Sequence, residues 1–344
     1  MNSIATTSPP AEPAAAQPHL GLRARLTRHP ELFTLALLLL TCAGVGAINP
    51  RFFQLATLFD LLHSATTTGL FACGALVVLA SGGIDVSFMA IAALVMYSVT
   101  KAVFAWWPEM PFALILLVGA LGGTLLGLLN GLAVHTLRAP SLIVTIGTQY
   151  LYRGILLTFV GTMFFMNIPP SMDRFGRTAL LHYQTSDGLR AVLPVSVLAL
   201  VVGAALTWWL LKRTMMGRGV YAMGGSLVIA ERLGYRLRAI HLFVFGYAGL
   251  LAGVAGILHV SNNRLANPFD LVGTELDVIA AVILGGARIT GGTGTVWGTL
   301  LGVMLVTLIN QVLILVNVPT TLQKVIVGIF ILIAGTLFAF VRRR

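Results

Sequence analysis

Residues 112–135 read FALILLVGALGGTLLGLLNGLAVH, a run of 24 residues without a single Asp, Glu, Lys or Arg. A helix needs about 20 such residues to cross the hydrocarbon core of a bilayer. Similar runs recur along the chain, and 10% of its 344 residues are charged. Soluble domains carry roughly 25% charged residues. We therefore predict an all-α integral membrane protein.

About ten transmembrane helices of this kind fit into the chain. The eighth segment is short and flanked by glycines, so it is either a re-entrant piece or extends back toward Gly273. The segments are predicted at 32–48, 58–80, 87–107, 112–135, 141–164, 192–211, 240–260, 276–286, 296–316 and 321–341.

The first thirty residues differ in composition from the rest. Residues 1–20 are rich in Pro, Ala, Ser and Thr, a composition that cannot bury a core. Three arginines follow, and no small-residue cleavage site comes after the first apolar run, which favours a retained first helix. We expect a disordered cytoplasmic tail over 1–30 and a transmembrane domain over 31–344.

The distribution of basic residues predicts the orientation in the membrane. With the N-terminus in the cytoplasm, 14 of the 22 Lys and Arg residues fall in inner segments, as the positive-inside rule requires. An even number of spans then places both termini in the cytoplasm. The longest inner segment is 212–239 and the longest outer one is 165–191. This placement of the +11 charge argues against a nucleic-acid partner.

A short sequence recurs and hints at an internal duplication. The pentapeptide GTLLG occupies residues 123–127 and again 298–302, and each copy lies within a predicted span. The copies are five spans apart, so they would have opposite directions in the membrane, as in transporters with inverted repeats. Five small or apolar residues match by chance about as readily, and both explanations stay open.

Two glycine-rich stretches interrupt the apolar sequence, SGGIDVS at 81–87 and LGGARITGGTG at 284–294. Irregular backbone at membrane depth is tolerated only where protein buries it or where it lines a wet cavity. The stretches are therefore either parts of a solute path or tight turns, with Asp85 or Ser87 capping the next helix and the glycines packing closely. The candidates are Gly82, Gly83, Asp85, Ser87, Gly285, Gly286, Gly291 and Gly292.

Few charges fall within the predicted spans. Arg153, Asp277 and Lys324 do so, and a charge at the bilayer centre costs about 2.5–3.5 kcal/mol on insertion scales. We expect each to face protein or water. Arg153 is either paired structurally or part of a solute path, and Asp277 either lines that path or caps the eighth segment.

The inner segment contains a predicted short helix. Ser226 is its N-cap, Gly234 its C-cap, and Leu227, Ala230 and Leu233 form one apolar stripe. Such a helix on the cytoplasmic face needs a partner surface. That surface is the protein's own inner face, the lipid headgroups or another subunit.

The sequence lacks the motifs of several enzyme classes. None of its three lysines follows a glycine, so a phosphate-binding P-loop is missing, and neither H-E-x-x-H nor G-x-S-x-G occurs. The two cysteines, Cys42 and Cys73, lie in apolar runs. We predict no catalytic residue, no cofactor and no metal.

Four motifs in order resemble one family of membrane proteins. They are SGGIDVS at 81–87, GRGVYAMGG at 217–225, ELDVIAAV at 275–282 and LGGARITGGTG at 284–294. Together with the spans, from about residue 49 to 341, they are similar to permease subunits of binding-protein-dependent ABC importers for sugars, of the ribose, xylose, arabinose and autoinducer-2 type.

The resemblance implies a set of partners in the bacterial inner membrane. A second permease chain, the same or a paralogue, would complete the solute path. Two cytoplasmic ABC ATPase subunits would drive transport, and a periplasmic solute-binding protein would deliver a sugar, polyol or sugar-like signal. The docking surface for an acidic binding protein would include Arg174, Arg177 and Arg190. The helix coupled to the ATPase would comprise Ser226, Leu227, Ala230, Glu231, Arg232, Leu233 and Gly234.

The sequence departs from the family pattern at three places. Phe88 and Met89 stand where the family has Val-Gly, Ser226 where Asn is usual, and Glu231 where Ala is usual. The first change would narrow the space near the third span, so the resemblance does not identify the solute. The alternatives are an ABC permease for branched-chain amino acids, a self-sufficient secondary transporter or channel, and a membrane enzyme.

Overall fold

The computed structural model describes residues 30–48, 50–184, 190–315 and 318–343. The predicted N-terminal tail lies outside the described residues apart from Pro30.

The described chain folds into helices joined by short connections, with one small hairpin. Each of the ten predicted apolar segments overlaps a helix, although residues 192–194 of the sixth lie in a strand and residues 161–164 of the fifth are not helical. The helices are α1 Pro30–Ile48, α2 Leu55–Ala80, α3 Phe88–Trp106, α4 Phe112–Leu137, α5 Ser141–Ile155, α6 Pro170–Arg177, α7 Val197–Arg213, α8 Met215–Gly225, α9 Leu227–Arg232, α10 Leu237–Asn263, α11 Glu275–Leu284, α12 Val296–Leu315 and α13 Thr320–Arg343, and the strands are β1 Ala179–Gln184 and β2 Arg190–Pro194.

Within the described residues, six helices are long and apolar enough to cross a membrane: α2, α3, α4, α5 with the π-helical turn Leu156–Val160, α10 and α12. The pair α7 and α8 qualifies as a seventh when taken together, although the two helices are bent by 75° relative to each other. The predicted all-α membrane class is confirmed.

Helices α2 and α10 form the centre of the bundle and α4 and α5 its periphery. In the apolar windows of α2 and α10, 72% of residues are buried, against 22% in α4 and α5. The peripheral helices expose leucines such as Leu117, Leu121 and Leu125. A helix that is apolar on all sides but buried on only one has the pattern of a lipid-facing helix.

Glycines bring α4 and α10 into backbone contact. Gly123 and Gly127 lie on one face of α4, opposite Gly249 and Gly253 of α10. A Cβ atom added at Gly127 would overlap the carbonyl oxygen of Phe245, and one at Gly123 would overlap that of Gly249. Small residues four apart allow such close crossings of membrane helices.

The outer segment has secondary structure that the sequence analysis did not identify. Helix α6 stacks Phe175 on Phe112 of α4, with ring centroids 3.9 Å apart, and β1 pairs with β2 in an antiparallel hairpin. Strand β2 also packs against α2. The segment is polar and its two strands are short, so neither gives a strong periodic signal.

Replacing Gly127 with Ala tests the α4–α10 crossing. The added methyl group has no room against the Phe245 carbonyl, so we expect overpacking to lower the free energy of unfolding by about 1–3 kcal/mol. Thermal stability in detergent, followed by fluorescence-detected size exclusion, measures the change.

The matched control is Gly147→Ala on α5, where a Cβ atom meets nothing within 4 Å. Its effect should be neutral or stabilising, because alanine favours helix by roughly 0.5–1 kcal/mol over glycine. Equal loss of stability in both variants would contradict the close crossing.

Candidate functional site

The two glycine-rich breaks meet in the fold, together with the end of α8. Gly82 and Gly291 both have positive φ, +83° and +88°. A Cβ atom added at Gly291 would lie 2.6 Å from the Gly82 backbone and 2.9 Å from Gly224 Cα. The Gly292 N–H donates to the Ala80 carbonyl at 3.0 Å. We call this contact of Gly82, Gly224, Gly291 and Gly292 the glycine junction.

The remaining glycines of the two breaks lie beside the junction. Gly83 sits next to Ser141 at the start of α5, whose hydroxyl accepts a hydrogen bond from the Ile84 N–H at 2.8 Å. Gly285 packs against the backbone of Gly298 on α12, and Gly286 has a φ of +100° that ends α11. The breaks therefore follow the ends of α2 and α11 and are held by neighbouring helices.

Asp85 belongs to a buried polar network that reaches two helices. Its Oδ1 accepts hydrogen bonds from the Ser87 N–H at 2.7 Å and the Ser87 hydroxyl at 2.6 Å. The Ser87 oxygen accepts from the Asn130 amide at 2.6 Å, and the Tyr152 hydroxyl donates to Asn130 Oδ1 at 2.9 Å. All four side chains are buried.

This network explains the conformation of the first break. Ser87 stands at the N-cap of α3, yet its side chain makes no capping hydrogen bond to that helix. It joins Asp85 to α4 and α5 instead. The sequence predicted Asp85 and Ser87 as candidates but not Asn130 and Tyr152. The signal for Asn130 was a single amide side chain within the otherwise apolar α4.

The predicted short helix is present as α9, next to the glycine junction. The Ser226 hydroxyl accepts from the Ile229 N–H at 3.4 Å, and Gly234 follows the helix with a φ of +84°. Of the predicted stripe, Ala230 is buried, whereas Leu227 and Leu233 are more than half exposed. Val228 and Ile229 are equally exposed, so α9 presents three large apolar side chains to the outside and Leu233, just after the helix, adds a fourth.

A large cavity opens beside α9. Its volume is about 1130 Å³, and its lining combines the first break with the α4–α5 connection and the segment from Gly224 to His241. Arg138, Arg236 and Arg238 contribute cationic groups and Glu231 an anionic one. We call it the α9-side cavity.

A second, smaller cavity of about 410 Å³ lies at the opposite end of the helices. It is lined by the N-terminal parts of α2 and α11 and the C-terminal parts of α10 and α12, including Asp277. Between the two cavities every residue of α2 from Gly69 to Ala80 is buried. We call this second space the far-side cavity.

The other embedded charges lie apart from the junction. Arg153 is partly exposed near the end of α5, and no hydrogen bond or ion pair joins its side chain to another described residue. Asp277 is within electrostatic reach of Lys324 on α13. The neighbouring Glu275 is buried and accepts hydrogen bonds from the Gly273 N–H at 3.0 and 2.9 Å and from the Gln149 amide at 2.7 Å. Glu275 therefore fixes the start of α11.

The arginines of the outer segment 165–191 lie at the end of the bundle that contains the far-side cavity. Arg174 and Arg177 are exposed on α6, where Arg177 Nε contacts Asp173 Oδ2 at 2.8 Å. Arg190 begins β2. No group of three or more His, Cys, Asp or Glu side chains in the described part of the chain has the spacing of a metal site.

The chain matches one family model over residues 57–335, described as branched-chain amino acid transport system / permease component. It is 32% identical over 299 residues to the ribose import permease protein of Haemophilus influenzae, covering 86% of this chain and 89% of that protein. It is 34% identical over 295 residues to the autoinducer 2 import system permease protein of Yersinia pseudotuberculosis serotype O:1b, covering 84% and 79%. No solved structure matches the chain.

The Asn130→Leu substitution tests the buried network around Asp85. It removes two buried hydrogen bonds, one to the Ser87 oxygen and one from the Tyr152 hydroxyl, each worth about 0.5–1.5 kcal/mol. The Tyr152 hydroxyl keeps the Leu126 carbonyl as an acceptor at 3.0 Å, so the loss is limited to these two bonds. We expect a clear fall in the melting temperature of the detergent-solubilised protein.

Tyr152→Phe is the milder companion variant, because it removes a single hydroxyl and should lower the free energy of unfolding by roughly 0.5–1.5 kcal/mol. An Asn130→Leu variant that melts at the wild-type temperature would show that this network does not stabilise the segment 81–87.

Proposed function

The chain belongs to the family of membrane-spanning permease subunits of ABC importers, and from that premise we propose a specific direction of transport, a solute class and a set of contact surfaces for it. The family match covers most of the chain, and both relatives are import permeases. The chain is a transport component of a multi-pass inner-membrane assembly rather than an enzyme, and the ATP is hydrolysed by a partner subunit.

The solute that we propose is a sugar, a polyol or a sugar-like signal. The names of the two relatives specify ribose and autoinducer 2, both small hydroxylated molecules. This assignment is favoured over branched-chain amino acids, which the family description mentions, because the individual relatives are importers of sugar-like solutes.

We propose that the chain crosses the membrane with ten segments and has both termini in the cytoplasm. The grouping of segments at one end of the bundle supports this orientation. There α9, the glycine junction and the α9-side cavity lie together with arginines that the sequence assigns to cytoplasmic segments, such as Arg138 and Arg236. Residues 1–30 would then form the cytoplasmic tail and 31–344 the permease domain, with the coupling segment 212–239.

The packing of the two GTLLG copies supports the possible inverted repeat. Gly298 and Gly302 of α12 contact the backbones of Gly285 and Ala281 of α11, much as Gly123 and Gly127 of α4 contact α10. Both copies of GTLLG thus make close helix crossings. We keep the repeat as a proposal on that ground.

The observation that carries the coupling mechanism is the exposed surface of α9 beside the glycine junction. Leu227, Val228, Ile229 and Leu233 form an apolar surface, and Glu231 and Arg232 border it with charge. We propose that this surface seats on the ATPase. A movement of α9 would reach the end of α2 through Gly224, whose added Cβ atom would overlap the Ala80 carbonyl, so little space is left to absorb it.

The two cavities suit alternating access in this scheme. A solute released by the binding protein would enter the far-side cavity, and the α9-side cavity would open to the cytoplasm. The buried stretch of α2 between the two cavities would separate them in this state. We propose that Gly82, Gly83, Asp85, Ser87, Gly285, Gly286, Gly291 and Gly292 form the mobile inner end of that path, with Arg153 and Asp277 toward its outer end.

The outer partner would be a periplasmic binding protein. Arg174, Arg177 and Arg190 lie in the elements α6 and β2 at the far end, where an acidic surface could dock. A second permease chain, identical or paralogous, would complete the path.

Exchanging the charges of α9 tests the coupling surface. In Glu231→Arg with Arg232→Glu the net charge and the positive-inside bias stay unchanged, so the protein should insert normally. We expect at least a tenfold loss of ATPase binding and of solute uptake, measured by co-purification and by transport into proteoliposomes of the assembled importer.

The matched control exchanges Asp173 and Arg177 on α6, which also conserves net charge. It should leave ATPase binding intact, because α6 lies at the other end of the bundle. Wild-type ATPase binding and uptake by the α9 variant would contradict the assignment of α9.

A further inference from the structure

A third cavity, of about 190 Å³, lies between the ends of several helices and shares no lining residue with the two larger ones. The first turn of α1, the last turns of α7 and the start of α12 line it, together with α8. Its lining includes Glu31, Trp208, Lys212, Tyr221 and Trp297. In the proposed orientation these helix ends lie at the cytoplasmic surface of the membrane. We call this space the tryptophan cavity.

Two indole rings frame the tryptophan cavity, and both remain accessible. Trp297 is 69% exposed and Trp208 is 39% exposed. The guanidinium carbon of Arg213 lies 5.8 Å from the centroid of the Trp208 ring. Tryptophan is enriched where the hydrocarbon core of a bilayer meets the headgroups, because its ring is apolar and its N–H is polar. The indoles therefore indicate that the cavity lies at the depth of the lipid headgroups.

The lining of the tryptophan cavity carries charges of both signs. Lys212 is exposed, and no hydrogen bond or ion pair joins its side chain to another described residue. Glu31 is half-buried in the first turn of α1. Basic pockets between membrane helices on the cytoplasmic side bind phospholipid headgroups. A carboxylate in such a pocket repels a purely anionic headgroup but attracts the ammonium group of a zwitterionic one.

We propose that the tryptophan cavity binds the headgroup of a phospholipid that carries both a phosphate and a primary ammonium group, as phosphatidylethanolamine does. The phosphate would lie at Lys212 and Arg213, and the ammonium group at Glu31, beside indole faces that attract cations. The cavity is smaller than the roughly 300–1,000 Å³ of typical small-molecule sites, so it would hold a headgroup and leave the acyl chains outside. Exposed Leu32 on α1 and Leu206 on α7 offer apolar surface to those chains.

A headgroup in this cavity would contact the link between α8 and the second glycine-rich break. Tyr221 lines the cavity, and its hydroxyl donates to the Gly294 carbonyl at 2.8 Å. Thr295 also lines the cavity, and its hydroxyl oxygen accepts from the Gly298 N–H at 3.1 Å in the first turn of α12. The bound lipid would therefore bridge α1, α7 and α12 at this link and stabilise that end of the bundle.

Native mass spectrometry of the full-length protein tests the site. Delipidated protein in detergent is titrated with phosphatidylethanolamine or with phosphatidylglycerol of the same acyl chains. We expect phosphatidylethanolamine to bind about tenfold more tightly, the effect of one additional charge-assisted contact, and to raise the melting temperature more. Equal binding of the two lipids, or tighter binding of phosphatidylglycerol, would overturn the proposal.

Substitutions of the two charged lining residues locate the binding. Lys212→Gln and Glu31→Gln should each weaken phosphatidylethanolamine binding about tenfold, and Glu31→Gln should also abolish the preference over phosphatidylglycerol. Arg218→Gln on α8 and Glu109→Gln before α4 are the matched controls, because both residues are exposed and neither lines the cavity.

The controls should bind phosphatidylethanolamine as the wild type does. Wild-type binding by either cavity variant, or an equal loss of binding in the controls, would contradict the assignment. Lipid binding is measured without transport, so the result does not depend on the identity of the solute or on the partner ATPase.

Discussion

Helices in lipid gain no hydrophobic driving force from packing against one another, so this bundle depends on close contact between backbones. Glycine makes that contact possible at the α4–α10 crossing and at the α11–α12 pair. It also permits the breaks after α2 and α11, because positive φ at Gly82, Gly286 and Gly291 lets the chain turn there. The same residue type therefore sets both the packing of the spans and the places where they are interrupted.

We assign a function to the two glycine-rich breaks because of the hydrogen bonds that tie them to neighbouring helices. Unpaired backbone groups at membrane depth would be costly, and here the Gly292 N–H is satisfied by the Ala80 carbonyl of α2. Tyr221 of α8 donates to the Gly294 carbonyl at 2.8 Å, so the inner segment is tied to the second break. In the proposed mechanism, a displacement of α9 by a partner subunit would thus act on two helix ends at once.

The sequence was informative about the spans because apolar length is a local property. Each predicted segment overlaps a helix, and the Ser226 cap of α9 is confirmed, because capping residues act within one turn. The number of crossings, the orientation and the internal repeat remain predictions. The strands 179–184 and 190–194 were missed, since short polar strands carry little periodicity.

The contacts that form the candidate sites were beyond the reach of the sequence. Gly82, Gly224 and Gly291 meet although the first and last are more than 200 positions apart, and nothing in their local context identifies them as neighbours. The network around Asp85 likewise depends on Asn130 and Tyr152, which come from two other helices. The sequence predicted the apolar residues of α9 but not which of them are exposed. The exposure of Leu227 and Leu233 depends on how α9 packs against α8 and α10.

The central claim is that this chain moves its solute with ATP hydrolysed by another subunit. Proteoliposomes containing the permease, with or without its ATPase and binding protein, test it most directly when uptake of radiolabelled D-ribose or autoinducer 2 is followed with and without ATP. The account predicts accumulation only when both partners and ATP are present. Equal accumulation in vesicles that lack the ATPase would contradict it and would identify a self-sufficient transporter.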